Sequence, residues 1–161
     1  VNAFLYRFRG EIVVLWCLCC LPVVLPSRHW APSGAALLFG LALRAWSRRF
    51  IGGHSRGRIL SCPERVVGGP YRWVAHPLYI ANLLVLSGLG SCALGPEPLR
   101  LAAVLSGPAC LYLVLARTES RLLEIRDPPV RTAAVDARTA KWSSEWASFL
   151  PPLALWLRAV L

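Results

Sequence analysis

Apolar residues along this chain collect in four runs, at 12–25, 31–46, 78–94 and 99–116, with polar and charged residues between them. The last two runs approach the roughly 20 residues that a helix needs to cross a bilayer. The first two reach that length only with their flanks, where Trp30 and Trp46 suit the membrane interface and Arg44 can snorkel from its helix end. Turn-rich breaks at 26–32 and 95–98 separate run one from run two and run three from run four. The pattern predicts an all-α integral membrane bundle of about four transmembrane helices in two antiparallel hairpins. It forms a single domain, 1–161, with a cytoplasmic loop at 47–77 and a tail at 117–161. The apolar end of the tail is short and broken by Pro151 and Pro152, which predicts a C-terminal interfacial or re-entrant helix rather than a fifth span.

Composition supports the membrane assignment. Of 161 residues, 56% are hydrophobic and 16% charged, and mean hydropathy is +0.51, which argues against an ordinary soluble enzyme. The 18 Lys and Arg against 8 Asp and Glu give a net charge of +10. These cations lie between apolar runs instead of covering a polar domain, so they point to anionic headgroups and not to nucleic acid. Arg7 and Arg9, the seven cations from Arg44 to Arg72 and the six from Arg117 to Lys141 fall on one side of a four-span topology, leaving Arg28 and Arg100 on the other. The positive-inside rule then makes the middle loop and the tail cytoplasmic, in an integral protein of the cell's inner membrane.

Several chemistries find little support. Cys17, Cys19, Cys20, Cys92 and Cys110 lie inside apolar runs, where a thiol behaves as a small hydrophobe. The CxxC of Cys17 and Cys20 lacks further ligands, so no metal site is expected. Arg7 and Arg9 precede the first apolar run, but no small-residue cleavage site follows it, and the segment is expected to be retained. His54 and Ser55 have no acidic residue placed to complete a hydrolase triad. The GGHSRGR stretch at 52–58 lacks the spacing of a phosphate loop and reads as a basic loop against headgroups.

The loop ahead of run three is more informative. Gly68, Gly69 and Pro70 form a turn that lets backbone approach a ligand, and Pro77 suits a helix start. His76 is thereby placed at the membrane surface beside Tyr71, Arg72 and Tyr79. These residues can present donors and aromatic faces to a polar ligand, or simply anchor the helix at the interface. Arg117, Thr118, Glu119 and Arg121 form a second ionisable group at the end of run four, on the same side. Such charges need partners or water, and a plain surface ion pair satisfies that need equally well.

The stretch GGPYRWVAHPLY at 68–79 resembles the GPYxxxRHPxY motif of the isoprenylcysteine carboxyl methyltransferases and phospholipid methyltransferases. RTES at 117–120 resembles the acidic element that follows the next hairpin in that group, and together the two stretches cover roughly the last two thirds of the chain. The resemblance implies S-adenosylmethionine as cofactor and methyl transfer to a lipid or lipid-linked acceptor, by carboxylate O-methylation or amine N-methylation. It implies cofactor-binding roles for Arg65, Val66, Tyr71, His76, Pro77, Leu78, Tyr79 and Glu119, with Arg117 facing the methyl acceptor as the catalytic residue. Ala75 stands where the motif carries an arginine, leaving Arg72 or Arg56 to supply that charge, and Ser120 stands for the second acidic residue. The family's FGxxYxxY element has no counterpart between Ile125 and Trp146. Expected partners are membrane lipids and a lipid-modified substrate, with neither nucleic acid nor metal.

Methyl transfer from a sulfonium requires mainly positioning, and a carboxylate acceptor needs no general base. Two rivals are an NADPH-dependent membrane reductase of the sterol reductase type, which usually has more spans, and a small non-enzymatic membrane protein.

Overall fold

The computed structural model describes residues 2–20, 30–52, 64–94, 97–135 and 146–160, and within them the chain is mostly helical. Six α-helices follow in order: α1 (Asn2–Arg7), α2 (Arg9–Cys20), α3 (Trp30–Ile51), α4 (Pro77–Leu94), α5 (Pro98–Arg126) and α6 (Trp146–Val160). Two short strands, β1 (Arg65–Val66) and β2 (Val130–Arg131), pair in parallel, and a 3-10 turn (Gly69–Arg72) precedes α4.

Among the described residues, two helices are long and apolar enough to cross a membrane, α4 and α5. The other two of the four expected spans are not confirmed. α2 has 12 described residues, and the remainder of run one lies outside them. α3 has 22 residues but carries Arg44, Arg48 and Arg49 in its second half. The expected pairing of α2 with α3 is revised, because these helices barely touch: α3 packs on α4, and α2 packs on α5.

Small residues explain the first pairing. A Cβ on Gly40 would lie 2.8 Å from the Val85 nitrogen, and one on Gly88 would lie 2.7 Å from the Ser33 carbonyl oxygen. Gly40 thus meets Ala81 and Val85 while Gly88 meets Ser33 and Leu37, so α3 and α4 run antiparallel with backbones nearly touching. Arg44 does not snorkel outward as expected, because Asn82 on α4 offers it a closer polar partner, at 2.6 Å.

The α2–α5 pairing works differently. Pro108 lies inside α5, and its missing N–H deprives the Val104 carbonyl of its helical donor. The Trp16 indole supplies that donor at 3.0 Å, its ring seated over Gly107, where a Cβ would come within 2.5 Å. Tyr6 of α1, Val13 of α2 and Leu111, Tyr112 and Leu115 of α5 form one buried core cluster.

α6 is not confined to the end of the bundle from which the tail departs. Val135 donates to the Arg49 carbonyl at 2.8 Å, near the end of α3, whereas Trp156 packs on Gly34 and donates to Ser33 at 3.1 Å, near its start. Those positions on α3 are about 24 Å apart at 1.5 Å per residue. α6 therefore docks along the bundle, against α3 and α4.

Candidate functional site

At one end of the bundle the tail locks the loop that precedes α4. α5 ends on Asp127 in the left-handed region (φ 41°), which turns the chain back toward β1. Arg65 donates to the Pro129 carbonyl at 2.9 Å, and Val67 to the Arg131 carbonyl at 3.0 Å. Arg131 pairs with Glu64 at 2.9 Å and donates to the Phe50 carbonyl at 2.6 Å. The Phe50 ring lies against Gly68 and Gly69, so a side chain at either position would meet the ring, and at Gly69, with φ 55°, it would meet backbone strain as well. With the turn fixed, Pro77 is buried at the start of α4, and His76 is held beside the last turns of α5.

There His76 meets Glu119. The imidazole Nδ1 is 3.1 Å from Glu119 Oε2, and Nε2 is 3.0 Å from Ser120 Oγ. Tyr79 donates its hydroxyl to Glu119 Oε1 at 2.7 Å, the short length of a charge-assisted bond. His76, Tyr79 and Tyr112 stack in series, with centroids 5.7 and 5.0 Å apart, so the cluster continues as an aromatic column into the core. His76 and Glu119 side chains are 19% and 18% exposed, which leaves the cluster reachable from outside. The Tyr71 hydroxyl is buried with no hydrogen-bond partner among the described residues. Burial pushes its ionisation well above the ordinary tyrosine range, the Glu119 charge adds to that effect, and Arg44 opposes it.

Glu119 facing Nδ1 favours the tautomer with the proton there, leaving the Nε2 lone pair to accept from Ser120. A carboxylate behind an imidazole orients its far nitrogen toward a hydrogen-bond partner or a metal ion. The order hydroxyl, imidazole, carboxylate also matches an acyl-transfer relay, but Ser120 lies within α5, where its own N–H and those beside it serve the helix. The hydroxyl therefore lacks the adjacent donor pair on which an oxyanion hole is usually built.

Of the residues singled out from sequence, His76, Tyr79 and Glu119 come together, with Pro77 beneath them. Tyr71 stands near enough to Glu119 for their charges to interact. Leu78 is half-buried on the first turn of α4, while Arg65 and Val66 lie on β1, Arg65 exposed. Arg117 is exposed, and Thr118 bonds back to the Val114 carbonyl at 2.9 Å. The GGHSRGR stretch beyond Gly52, including Arg56, His54 and Ser55, lies outside the described residues. Sequence reading missed Asn82 and Tyr112. Asn82 is a polar residue inside an apolar run, which is itself a signal. Tyr112 stands two turns before Glu119, so both fall on one face of α5.

The chain is 32% identical over 114 residues to the cobalt-zinc-cadmium resistance protein CzcN of Cupriavidus metallidurans, covering 70% of this chain and 44% of that protein. It is 33% identical over 108 residues to the nickel-cobalt-cadmium resistance protein NccN of Alcaligenes xylosoxydans xylosoxydans, covering 63% of this chain and 46% of that one. Both relatives are named for metal resistance. The chain spans less than half the length of either. No family model matches, and no solved structure matches. These findings overturn the methyltransferase expectation, together with the reductase alternative and the lipid-substrate assignment: the relatives' names state resistance to metals and no enzymatic activity. They equally overturn the expectation that metals are irrelevant. The two apolar helices keep the membrane assignment in its coarse form.

Proposed function

We propose that this chain acts in resistance to divalent transition-metal cations at a membrane, with His76 and Glu119 as its working pair on the cytoplasmic side. The observation that carries this reading is the contact of His76 Nδ1 with Glu119 Oε2 at 3.1 Å, in a chain similar to proteins named for resistance to cobalt, zinc, cadmium and nickel.

Neutral imidazole suits zinc and nickel, and a carboxylate bonded to the far ring nitrogen orients the ring. Nε2 would be the ligating atom, with the Ser120 hydroxyl giving way. Among the described residues no three of His, Cys, Asp and Glu gather. A closed four-ligand cage is therefore not what this donor set offers. It fits an open, exchangeable ion that keeps water in its remaining positions. That suits transient handling of a toxic cation better than storage. Arg9, Arg44 and Arg131 lie near the same end, and by the positive-inside rule such cations support a cytoplasmic face there.

The test is growth of a host lacking its own metal-efflux systems, expressing the chain under graded cobalt, nickel, zinc or cadmium. Tolerance is expected to rise, and His76→Ala or Glu119→Gln is expected to abolish the gain at equal membrane abundance. A chain that confers no tolerance, or variants that keep it in full, would overturn the reading.

A further inference from the structure

The end of the bundle that holds the polar cluster also carries an apolar ledge. Trp73, on the residue after the 3-10 turn, is 72% exposed, and Trp46 on α3 is 41% exposed. Their rings meet edge to face at 5.6 Å and 69°. Val74 continues the surface at 41% exposure. The ledge is not a floppy tip, because the turn beneath it is fixed by Phe50 against Gly68 and Gly69 and by the β1–β2 ladder.

Two further facts indicate what covers it. α4, a candidate span, begins at Pro77, four residues beyond Trp73, so the ledge stands at the level where the apolar part of the bundle starts. Arg49, one turn after Trp46 on α3, and Arg72, next to Trp73, are both exposed. Paired indoles at the rim of a span, flanked by exposed arginines, match the headgroup layer, where the ring faces the acyl boundary and the cation faces phosphate.

We propose that the Trp46–Trp73 ledge is embedded in the headgroup layer of the bilayer and that its partner is anionic phospholipid. The loop ahead of α4 then lies in the interface and not in bulk water, and the His76–Glu119 cluster opens beside lipid headgroups. This inference does not rest on the metal-resistance reading.

The test uses the whole chain reconstituted in phosphatidylcholine vesicles with or without phosphatidylglycerol. The tryptophan emission lost on Trp73→Phe substitution is the signal of interest, and the same subtraction with Trp46→Phe provides a second reading. Phospholipids brominated near the headgroup end of the acyl chain are expected to quench that signal, with aqueous acrylamide having little effect. Arg72→Gln together with Arg49→Gln is expected to reduce the enrichment of spin-labelled phosphatidylglycerol around the protein. Ready quenching by acrylamide would place the ledge in water, and resistance to both quenchers would place it against protein; either result overturns the proposal. Unchanged lipid enrichment in the double variant would overturn its anionic part.

Discussion

The α3–α4 seam and the polar end of the α4–α5 pair share one helix and are built on opposite principles. Along the seam, specificity comes from atoms that are missing: Gly40 and Gly88 let two backbones approach until a single Cβ would collide. At the polar end it comes from groups that are present, a carboxylate held by one imidazole and one phenol. A backbone cannot retreat, whereas a side chain can turn. The seam therefore carries stability, and the polar end can change its partners without unmaking the fold.

The sharpest way to break this comparison is Gly88→Leu. Overpacking usually costs about 1–3 kcal/mol, and a wall made of the Ser33 carbonyl and the Leu37 nitrogen gives way less than a side chain would. The variant is expected to lose the α3–α4 contact, read as a large drop in melting temperature in detergent. Glu119→Gln, with its partners on flexible side chains, is expected to melt within a few degrees of the parent. Equal losses in the two variants would show that the contrast is wrong.

The next effect belongs to the α2–α5 contact, where the chain replaces a hydrogen bond that its own proline removes. Trp16→Phe leaves the Val104 carbonyl without a donor, at an expected cost of about 1–2 kcal/mol. Pro108→Ala restores an N–H to that carbonyl, so the Trp16→Phe penalty is expected to shrink in the double variant. A double-mutant cycle of thermal or denaturant unfolding reads the coupling. Additive effects would mean that the indole packs but does not substitute.

These contacts also show what the sequence could and could not disclose. The apolar runs announced α4 and α5, because period and length are local properties, and the arginine distribution anticipated that loop and tail share one end. His76 and Glu119 were legible as candidates through Pro77 and the charge at the end of an apolar run. Their meeting was not, since it depends on how α4 crosses α5. Arg44 misled for the same reason: a cation near a helix end reads as snorkelling unless Asn82, 38 residues on, is known to face it. The pairing of α3 with α4 was hidden because glycines inside apolar runs look like weak helix formers, and only the packed bundle shows which of them faces a neighbour. The chemistry implied by the motif resemblance failed for another reason. A short stretch of similar residues at a helix start fixes local shape, and similar shapes serve different ligands.

A smaller effect concerns pH. Tyr71 is held neutral by burial and by Glu119, so its ionisation is raised in the folded chain. The sign follows from linkage: the contribution is fully present below the unfolded tyrosine value of about 10 and is lost as pH rises above it. Alkaline melts of the parent are expected to fall more steeply above about pH 10 than those of Tyr71→Phe. Parallel curves would remove Tyr71 from the cluster.

The smallest expected change in stability comes with the clearest sign in binding. Ser120→Ala removes one hydroxyl from His76 Nε2 while Glu119 still holds Nδ1. Hydrogen bonds between membrane helices average about 0.6 kcal/mol, so melting should hardly move. If Nε2 is the atom that meets the metal, that hydroxyl is a competitor. Removing about 0.6 kcal/mol of competition is expected to tighten cobalt binding by about threefold, read from visible absorption during titration of the reconstituted chain. If Ser120 itself helps to hold the ion, the same substitution weakens binding. The direction of one small change therefore distinguishes a hydroxyl that guards the imidazole from one that assists it.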